Sequence, residues 1–257
     1  MEVTEGSFAW RIDRALERVG VRALGERQAC VVVFDTAEWS GDGDRLASFL
    51  DAWELTRAAR FRFEGDRGRY VLAHMLWRRV LRMCLGKGGE LPRVLPDALG
   101  QPLLPDHPGH VTSLSRSGPF VAVAVARWAA VGIDIECFPP LHAMDDVLEV
   151  VGTPAEREAL ARPVAEARQR AALGLWTAKE AVLKACGVGL QIDPAKVDTS
   201  LHPIPDPCGR PLAWRLLQLK LPGGLMGALA APGEPGPLSV FWLGAGEGPI
   251  GSADWTL

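Results

Sequence analysis

Asp134 and Glu136 stand two residues apart in VGIDIE, residues 131–136. On a strand, side chains two apart share a face, so both carboxylates project together beside Val131, Ile133 and Ile135. Adjacent carboxylates repel, and a hard divalent cation relieves that repulsion. Magnesium takes oxygen ligands, commonly one or two carboxylates with waters and substrate phosphates. Two solvated acids at a strand end would give the same pattern in this segment alone. In WTAKEAVLK, residues 176–184, Glu180 and Lys184 are four apart and share a helix face, while Trp176 and Leu183 fall on the opposite, core-seeking side. Taken alone this is an ordinary ion pair on a helix. Taken with the strand, Glu180 completes a carboxylate set for a metal ion and Lys184 neutralises phosphate charge.

These residues need elements to carry them. The apolar, β-branched run at 28–39 predicts a buried strand. From about 45 to 85 the pattern turns helical, with Leu46, Phe49, Leu50 and Trp53, and later Tyr70, His74, Trp77 and Leu81, at spacings of three and four. Two helices follow from this, separated by the arginine-dense segment RAARFRFEGDRGR at 57–69. His74, on an apolar helix face, reads as a core or interface histidine. Residues 86–109, rich in Pro and Gly, predict a loop with one short strand near 92–95. FVAVAVA at 120–126 and AVGIDIE at 130–136 predict two strands joined by the short connection 127–129 as a hairpin. Helices follow at 154–160 and 168–186, and strands in KVDTSLHPI, AWRLLQLKL, GLMGALAA and LSVFWLGA. Gly187 is suited to ending the second of those helices. The pattern is α+β, two halves sharing an interface.

The chain has 257 residues, 48% hydrophobic and 23% charged, with a net charge of -3. That composition suits a folded globular protein and offers no global attraction to nucleic acid or an acidic membrane surface. The five cysteines are odd in number and widely spaced, with no CxxC pair, which favours a reducing, cytoplasmic setting over a disulfide or zinc framework. No secretory signal pattern and no membrane-spanning run is expected.

The strand VGIDIE and the helix WTAKEAVLK together resemble the paired signature of the 4'-phosphopantetheinyl transferase family, a Gly-Ile/Val-Asp-x-Glu strand followed by a Trp-x-x-Lys-Glu-Ala/Ser-x-x-Lys helix. Here the strand supplies Gly132, Ile133, Asp134 and Glu136, and the helix Trp176, Lys179, Glu180, Ala181 and Lys184. The resemblance extends from about Arg57 to Leu190. It takes in the basic aromatic segment, the turn Gly100-Gln101-Pro102, SLSRSG at 113–118 and TPAERE at 153–158. The whole is similar to the larger, single-chain Sfp-type class. Arg116 stands where the family often has histidine, keeping a positive charge that grips phosphate with two parallel hydrogen bonds. Gln101 stands where a lysine is often found, removing one cation.

The resemblance implies the 4'-phosphopantetheinyl transferase fold, two pseudo-symmetric α/β halves with the active site at their interface. Residues 1–127 would form the N-terminal half with the coenzyme A phosphate contacts, and 128–257 the C-terminal half with the magnesium site and catalytic helix. It implies coenzyme A as substrate, Mg²⁺ as cofactor, and acyl or peptidyl carrier protein domains as partners of a monomer that takes neither nucleic acid nor membrane. Asp134, Glu136 and Glu180 would hold the metal. Glu180, Lys184 and Glu136 would be catalytic, and Arg57, Arg69, Ser115, Arg116, Lys179 and Lys184 would bind the coenzyme. Glu156 would either approach the metal or serve only its helix N-terminus. The alternatives are a catalytically silent relative that binds coenzyme A or a carrier protein, and an unrelated magnesium-dependent phosphoryl transferase.

Overall fold

The computed structural model describes residues 5–39, 46–86, 91–140, 144–162, 165–244 and 248–253. The chain opens with helix α1 (Phe8–Val19), capped by Ser7, whose hydroxyl accepts from Trp10 N. Strand β1 (Ala29–Asp35) follows, then α2 (Ala52–Ala58) and the long α3 (Glu64–Cys84). Two-residue strands β2 (Leu95–Pro96) and β3 (Pro102–Leu103) form a small hairpin. Strands β4 (Val111–Ser117), β5 (Phe120–Ala126) and β6 (Gly132–Cys137) lead to α4 (Met144–Val151), α5 (Pro154–Leu160) and α6 (Ala165–Cys186). Strands β7 (Ile204–Pro205), β8 (Ala213–Lys220), β9 (Leu225–Pro232), β10 (Leu238–Leu243) and β11 (Gly248–Ala253) complete the chain.

A five-stranded sheet has the order β11-β10-β1-β5-β4, and a four-stranded sheet the order β6-β9-β8-β7. The apolar strands are buried on both faces, which is why they read as continuous runs rather than alternating ones. In β1, Cys30, Val32 and Phe34 face the core shared with α1 and α3, while Ala29, Val31 and Val33 face the core shared with the other sheet. On the four-stranded sheet, Val131, Ile133, Ile135 and Leu229 meet the first sheet, and Ala228, Ala230 and Trp214 meet α6. The result is helices, sheet, sheet, helix, with alanines keeping the layers close.

The expected hairpin between 120–126 and 130–136 does not form. β5 pairs antiparallel with β1 and β4, whereas β6 pairs antiparallel with β9 in the other sheet. The short link 127–129 carries the chain from one packed sheet to the other. β10 returns to pair in parallel with β1, so a division at 127/128 separates strands of a single sheet. Of the segment KVDTSLHPI, residues 196–204, only Ile204 lies in a strand, the first residue of the two-residue β7, which pairs with β8. The helix expected around Leu46 is likewise shorter, with a turn at 48–50 before α2, and residues 40–45 lie outside the described residues.

At Gly132 the backbones of β6 and α6 come into close contact. A Cβ there would lie 2.0 Å from Ala181 O and 2.4 Å from Ala185 N, so only glycine lets the helix backbone rest on the strand. This contact brings the acidic strand under the helix that carries Glu180 and Lys184. Among the described residues no helix is long and apolar enough to cross a membrane, and all five cysteines are free thiols.

Candidate active site

A cleft of about 530 Å³ opens between α2–α3, the β2–β3 hairpin, β4, β6 and the C-terminal end of α6. Its cationic lining is Arg57, Arg116 and Lys184, and its acidic lining Asp134 and Glu136. Arg69 lines a smaller adjoining cavity of about 190 Å³, and Arg116 belongs to both.

Arg57 is carried by the last turn of α2, and α2 is fastened to α3 by a buried charge network. Glu54 caps α2 from within, accepting from Asp51 N, and accepts from Arg78 Nε at 2.9 Å; the Arg78 guanidinium also bonds Asp51. His74 Nδ1 lies 2.7 Å from Glu54 Oε1. Burial lowers the His74 pKa, with the Glu54 bond opposing. His74 is therefore both buried and part of the cleft wall, stacked on Tyr70 at 4.0 Å between Trp53 and Trp77. Burial pushes the Tyr70 hydroxyl up to about 12, helped by Glu54. That hydroxyl is buried without a hydrogen-bond partner among the described residues. The Arg116 guanidinium lies 5.6 Å over the Tyr70 ring. Its pKa is lowered by partial burial and by the fields of Arg57 and Arg69. Three guanidiniums within reach of one another form a site that an anion stabilises.

On the other wall, Asp134 is 4% exposed. Its Oδ1 accepts from Ser115 Oγ at 2.8 Å and from Lys184 Nζ at 2.6 Å. Among the described residues its buried Oδ2 has no hydrogen-bond partner, and neither has the buried Oε1 of Glu180. Glu136 accepts from Ser117 Oγ at 2.7 Å. Burial raises the pKa of Glu136 and of Glu180, and the fields of neighbouring carboxylates, Asp134 on both and Glu136 on Glu180, add to the rise. Among the described residues no three acids converge as a ready metal cluster; Lys184 sits on Asp134 and Ser117 on Glu136. Two buried, donorless carboxylate oxygens in one acidic group nonetheless fit a hard divalent cation, which supplies what the missing donors do not.

The structure thus brings Asp134, Glu136, Glu180, Lys184 and Ser115 together, with Arg57 and Arg116 across the cleft and Arg69 beside them. Lys179 goes elsewhere. Fully buried, its ammonium donates to Val197 O at 2.5 Å and Pro194 O at 3.1 Å and pairs with Glu156 at 2.7 Å. Successive residues of a helix point about 100° apart, so Lys179 and Glu180 cannot share a face. Glu156 is equally committed: it closes the capping box with Thr153 and accepts from Thr199 N and Oγ1. It serves its helix and the Lys179 pair. Gln101, in place of a cation, lies against the end of α6, its Oε1 2.1 Å from where a Cβ on Gly187 would be.

Sequence reasoning passed over Tyr70 and Ser117. The Tyr70 signal is its place beside Arg69 in the basic segment. The Ser117 signal is the alternation Ser113, Ser115, Ser117.

A cleft that gathers cations opposite buried acids with open oxygens suits a phosphorylated, polyanionic substrate, the setting in which phosphoryl-group transferases work. Comparison with known proteins names the family. The profile of the 4'-phosphopantetheinyl transferase superfamily matches residues 130–225. The chain is 30% identical over 201 residues to 4'-phosphopantetheinyl transferase HetI of Nostoc sp., covering 77% of this chain and 84% of that one. It is 30% identical over 155 residues to 4'-phosphopantetheinyl transferase psf-1 of Bacillus pumilus, covering 57% of this chain and 62% of that one. With 4'-phosphopantetheinyl transferase ffp of Bacillus subtilis it shares 27% over 159 residues, covering 62% and 70%. The chain belongs to the 4'-phosphopantetheinyl transferase superfamily.

Proposed function

We propose that the protein transfers the 4'-phosphopantetheine group of coenzyme A to a serine of an acyl or peptidyl carrier protein and releases 3',5'-ADP. The observation that carries this reading is the cleft lined by Arg57 and Arg116 together with Lys184, Asp134 and Glu136, with Glu180 in the field of those acids; among the described residues the buried Asp134 Oδ2 and Glu180 Oε1 have no donor. We read the fold as two pseudo-symmetric halves with the site at their interface. The first is built from residues up to about 126 and completed by the returning β10–β11; the second comprises β6–β9 with α4–α6.

Asp134, Glu136 and Glu180 would hold Mg²⁺, which supplies Lewis-acid stabilisation of pyrophosphate charge when bound. Arg57, Arg69 and Arg116 bind the coenzyme's phosphates, with Ser115 orienting Asp134. The carrier serine oxygen attacks the pantetheine-side phosphorus, the bond from that phosphorus to the ADP oxygen breaks, and the serine proton passes to a carboxylate. The raised pKa of Glu180 suits it to accept that proton. Lys184, now on Asp134, offsets charge on the departing phosphate. The carrier domain would meet the arginines of this face with an acidic helix, bound by a monomer in the cytoplasm with no nucleic acid or membrane involved. Purified protein incubated with coenzyme A, Mg²⁺ and an apo carrier domain should release 3',5'-ADP, read by chromatography, only when all three are present. Tight coenzyme binding without nucleotide release, across several apo carriers, would refute the transfer.

A further inference from the structure

β4 and β6 are edge strands of different sheets, and a sheet edge leaves backbone groups unpaired. The seam between these two edges is closed by serines. Ser113 Oγ accepts from Ile133 N at 3.1 Å, Ser115 Oγ from Ile135 N at 3.3 Å and Ser117 Oγ from Cys137 N at 3.0 Å. Both strands step in twos, so side chains 113, 115 and 117 share one face of β4 and the N–H groups of 133, 135 and 137 share one edge of β6.

A hydroxyl has one proton and two lone pairs. At every rung a backbone N–H takes a lone pair, which turns the serine proton away from the β6 backbone. At Ser115 the proton goes to Asp134 Oδ1, and Lys184 Nζ, 3.2 Å away, takes the other lone pair. At Ser117 the proton goes to Glu136 Oε2. Ser113 makes the same rung, with no carboxylate partner among the described residues.

We propose that Ser117 is a positioning residue of the transfer reaction, whose hydroxyl, aimed by the Cys137 N–H, holds the Glu136 carboxylate in the orientation that serves the metal ion. This rests on the reading of Glu136 as one of the acids that hold the divalent cation. Ser117 lines the smaller cavity with Arg69 and Arg116, but Arg116 projects from the opposite face of β4 over the Tyr70 ring, so removing the Ser117 hydroxyl leaves the phosphate grip of Arg116 in place.

The test compares the full chain with Ser117→Ala, Ser117→Thr and Ser113→Ala. Two quantities are measured: the Mg²⁺ dependence of coenzyme A binding by calorimetry with no carrier present, and the Mg²⁺ concentration that half-saturates transfer. Ser117→Ala should raise both about tenfold or more, the usual cost of losing a group that orients a metal ligand, with KM for coenzyme A unchanged at saturating Mg²⁺. Ser117→Thr keeps the hydroxyl and should stay within about threefold of the parent. Ser113→Ala breaks an equivalent rung and should lower the melting temperature to a similar degree without moving the Mg²⁺ dependence. Equal Mg²⁺ shifts in Ser117→Ala and Ser113→Ala, or none in Ser117→Ala, would overturn the proposal. If Ser117→Ala does not fold, Ser117→Cys, with its weaker donor, should raise the Mg²⁺ requirement above the parent's; parent-like Mg²⁺ dependence there would overturn the proposal. A parent protein that needs no divalent cation would overturn the metal reading itself, a result distinct from a metal-dependent parent with an unchanged Ser117→Ala.

Discussion

Gly132→Ala adds one methyl group where the backbone of β6 meets that of α6, and a Cβ would lie 2.0 Å from Ala181 O, 2.4 Å from Ala185 N and 2.9 Å from Ala185 Cβ. Unstrained carbon contacts sit at roughly 3.5–4.0 Å, so the helix must retreat by on the order of 1.5 Å. The face it would withdraw is fully packed, with Ala181, Val182 and Leu183 at 0% exposure. A gap of about 0.5–1 Å already forfeits roughly a quarter to a half of each contact's attraction. Overpacked core positions cost roughly 1–3 kcal/mol. Because the obstacle here is backbone rather than a movable side chain, the expected loss is at the upper end, about 3 kcal/mol. The same retreat separates Lys184 from Asp134, now 2.6 Å apart across this contact. A misplacement of about 1 Å in a reacting site costs on the order of 100-fold in rate. Urea unfolding should therefore show the stability loss. Transfer assayed under conditions where the variant is still folded should fall by a comparable 100-fold, on the order that displacement predicts. An unfolding free energy within about 0.5 kcal/mol of the parent's, with parental turnover, would refute the requirement for glycine at this backbone contact.

Other outcomes follow from the same geometry. Glu180→Gln removes the charge of a half-buried carboxylate whose buried Oε1 has no donor among the described residues, so the metal-free protein should gain about 1 kcal/mol in urea while transfer is abolished; lower stability would show that Glu180 is satisfied in solution. Lys179→Met leaves Glu156 buried and unpaired and should cost about 3–5 kcal/mol, with KM for coenzyme A unchanged in the folded fraction. A raised KM at full stability would return Lys179 to the coenzyme site. Burial alone would raise the pKa of Asp206, but bonds from Arg210, Trp214 and the backbone N–H groups of Cys208 and Arg210 hold it down to about 2. Because the folded value lies below the unfolded one, near 3.9, Asp206 contributes stability that is full above about pH 4 and lost as pH falls through about 2, roughly 2 kcal/mol in all. Asp206→Asn should lower stability near neutral pH and flatten its fall over that window, measured by urea midpoints across pH; an unaltered profile would contradict this.

The acidic strand and the Glu180–Lys184 helix are legible because each obeys a period, two for Asp134 and Glu136 and four for Glu180 and Lys184, and side-chain direction follows from period alone. Lys179 shows where that reasoning must be applied consistently: its neighbour Glu180 lies in the field of Asp134, Glu136 and Lys184, so Lys179, about 100° around the helix, points elsewhere, and its buried partners are Glu156, Pro194 and Val197. The misplaced hairpin has a different cause. Strands buried on both faces look alike whichever sheet they join, and a short link serves a hairpin and a step between packed sheets equally well. The return of β10 to β1 is a pairing across roughly 200 residues, from Ala29 to Leu238, of which local pattern carries no trace. The amphipathic α1 and the strand β4 lie within reach of periodicity. Ser115 and Ser117 carry their meaning only once β6 is set beside them.

The central claim is tested most directly by the intact mass of an apo carrier domain after incubation with this protein, coenzyme A and Mg²⁺. The carrier should gain the mass of one phosphopantetheinyl group, located by fragmentation on its serine, and the gain should disappear with Asp134→Ala. An unmodified carrier across a panel of acyl and peptidyl carrier domains, under conditions where the protein is folded and binds coenzyme A, would contradict it.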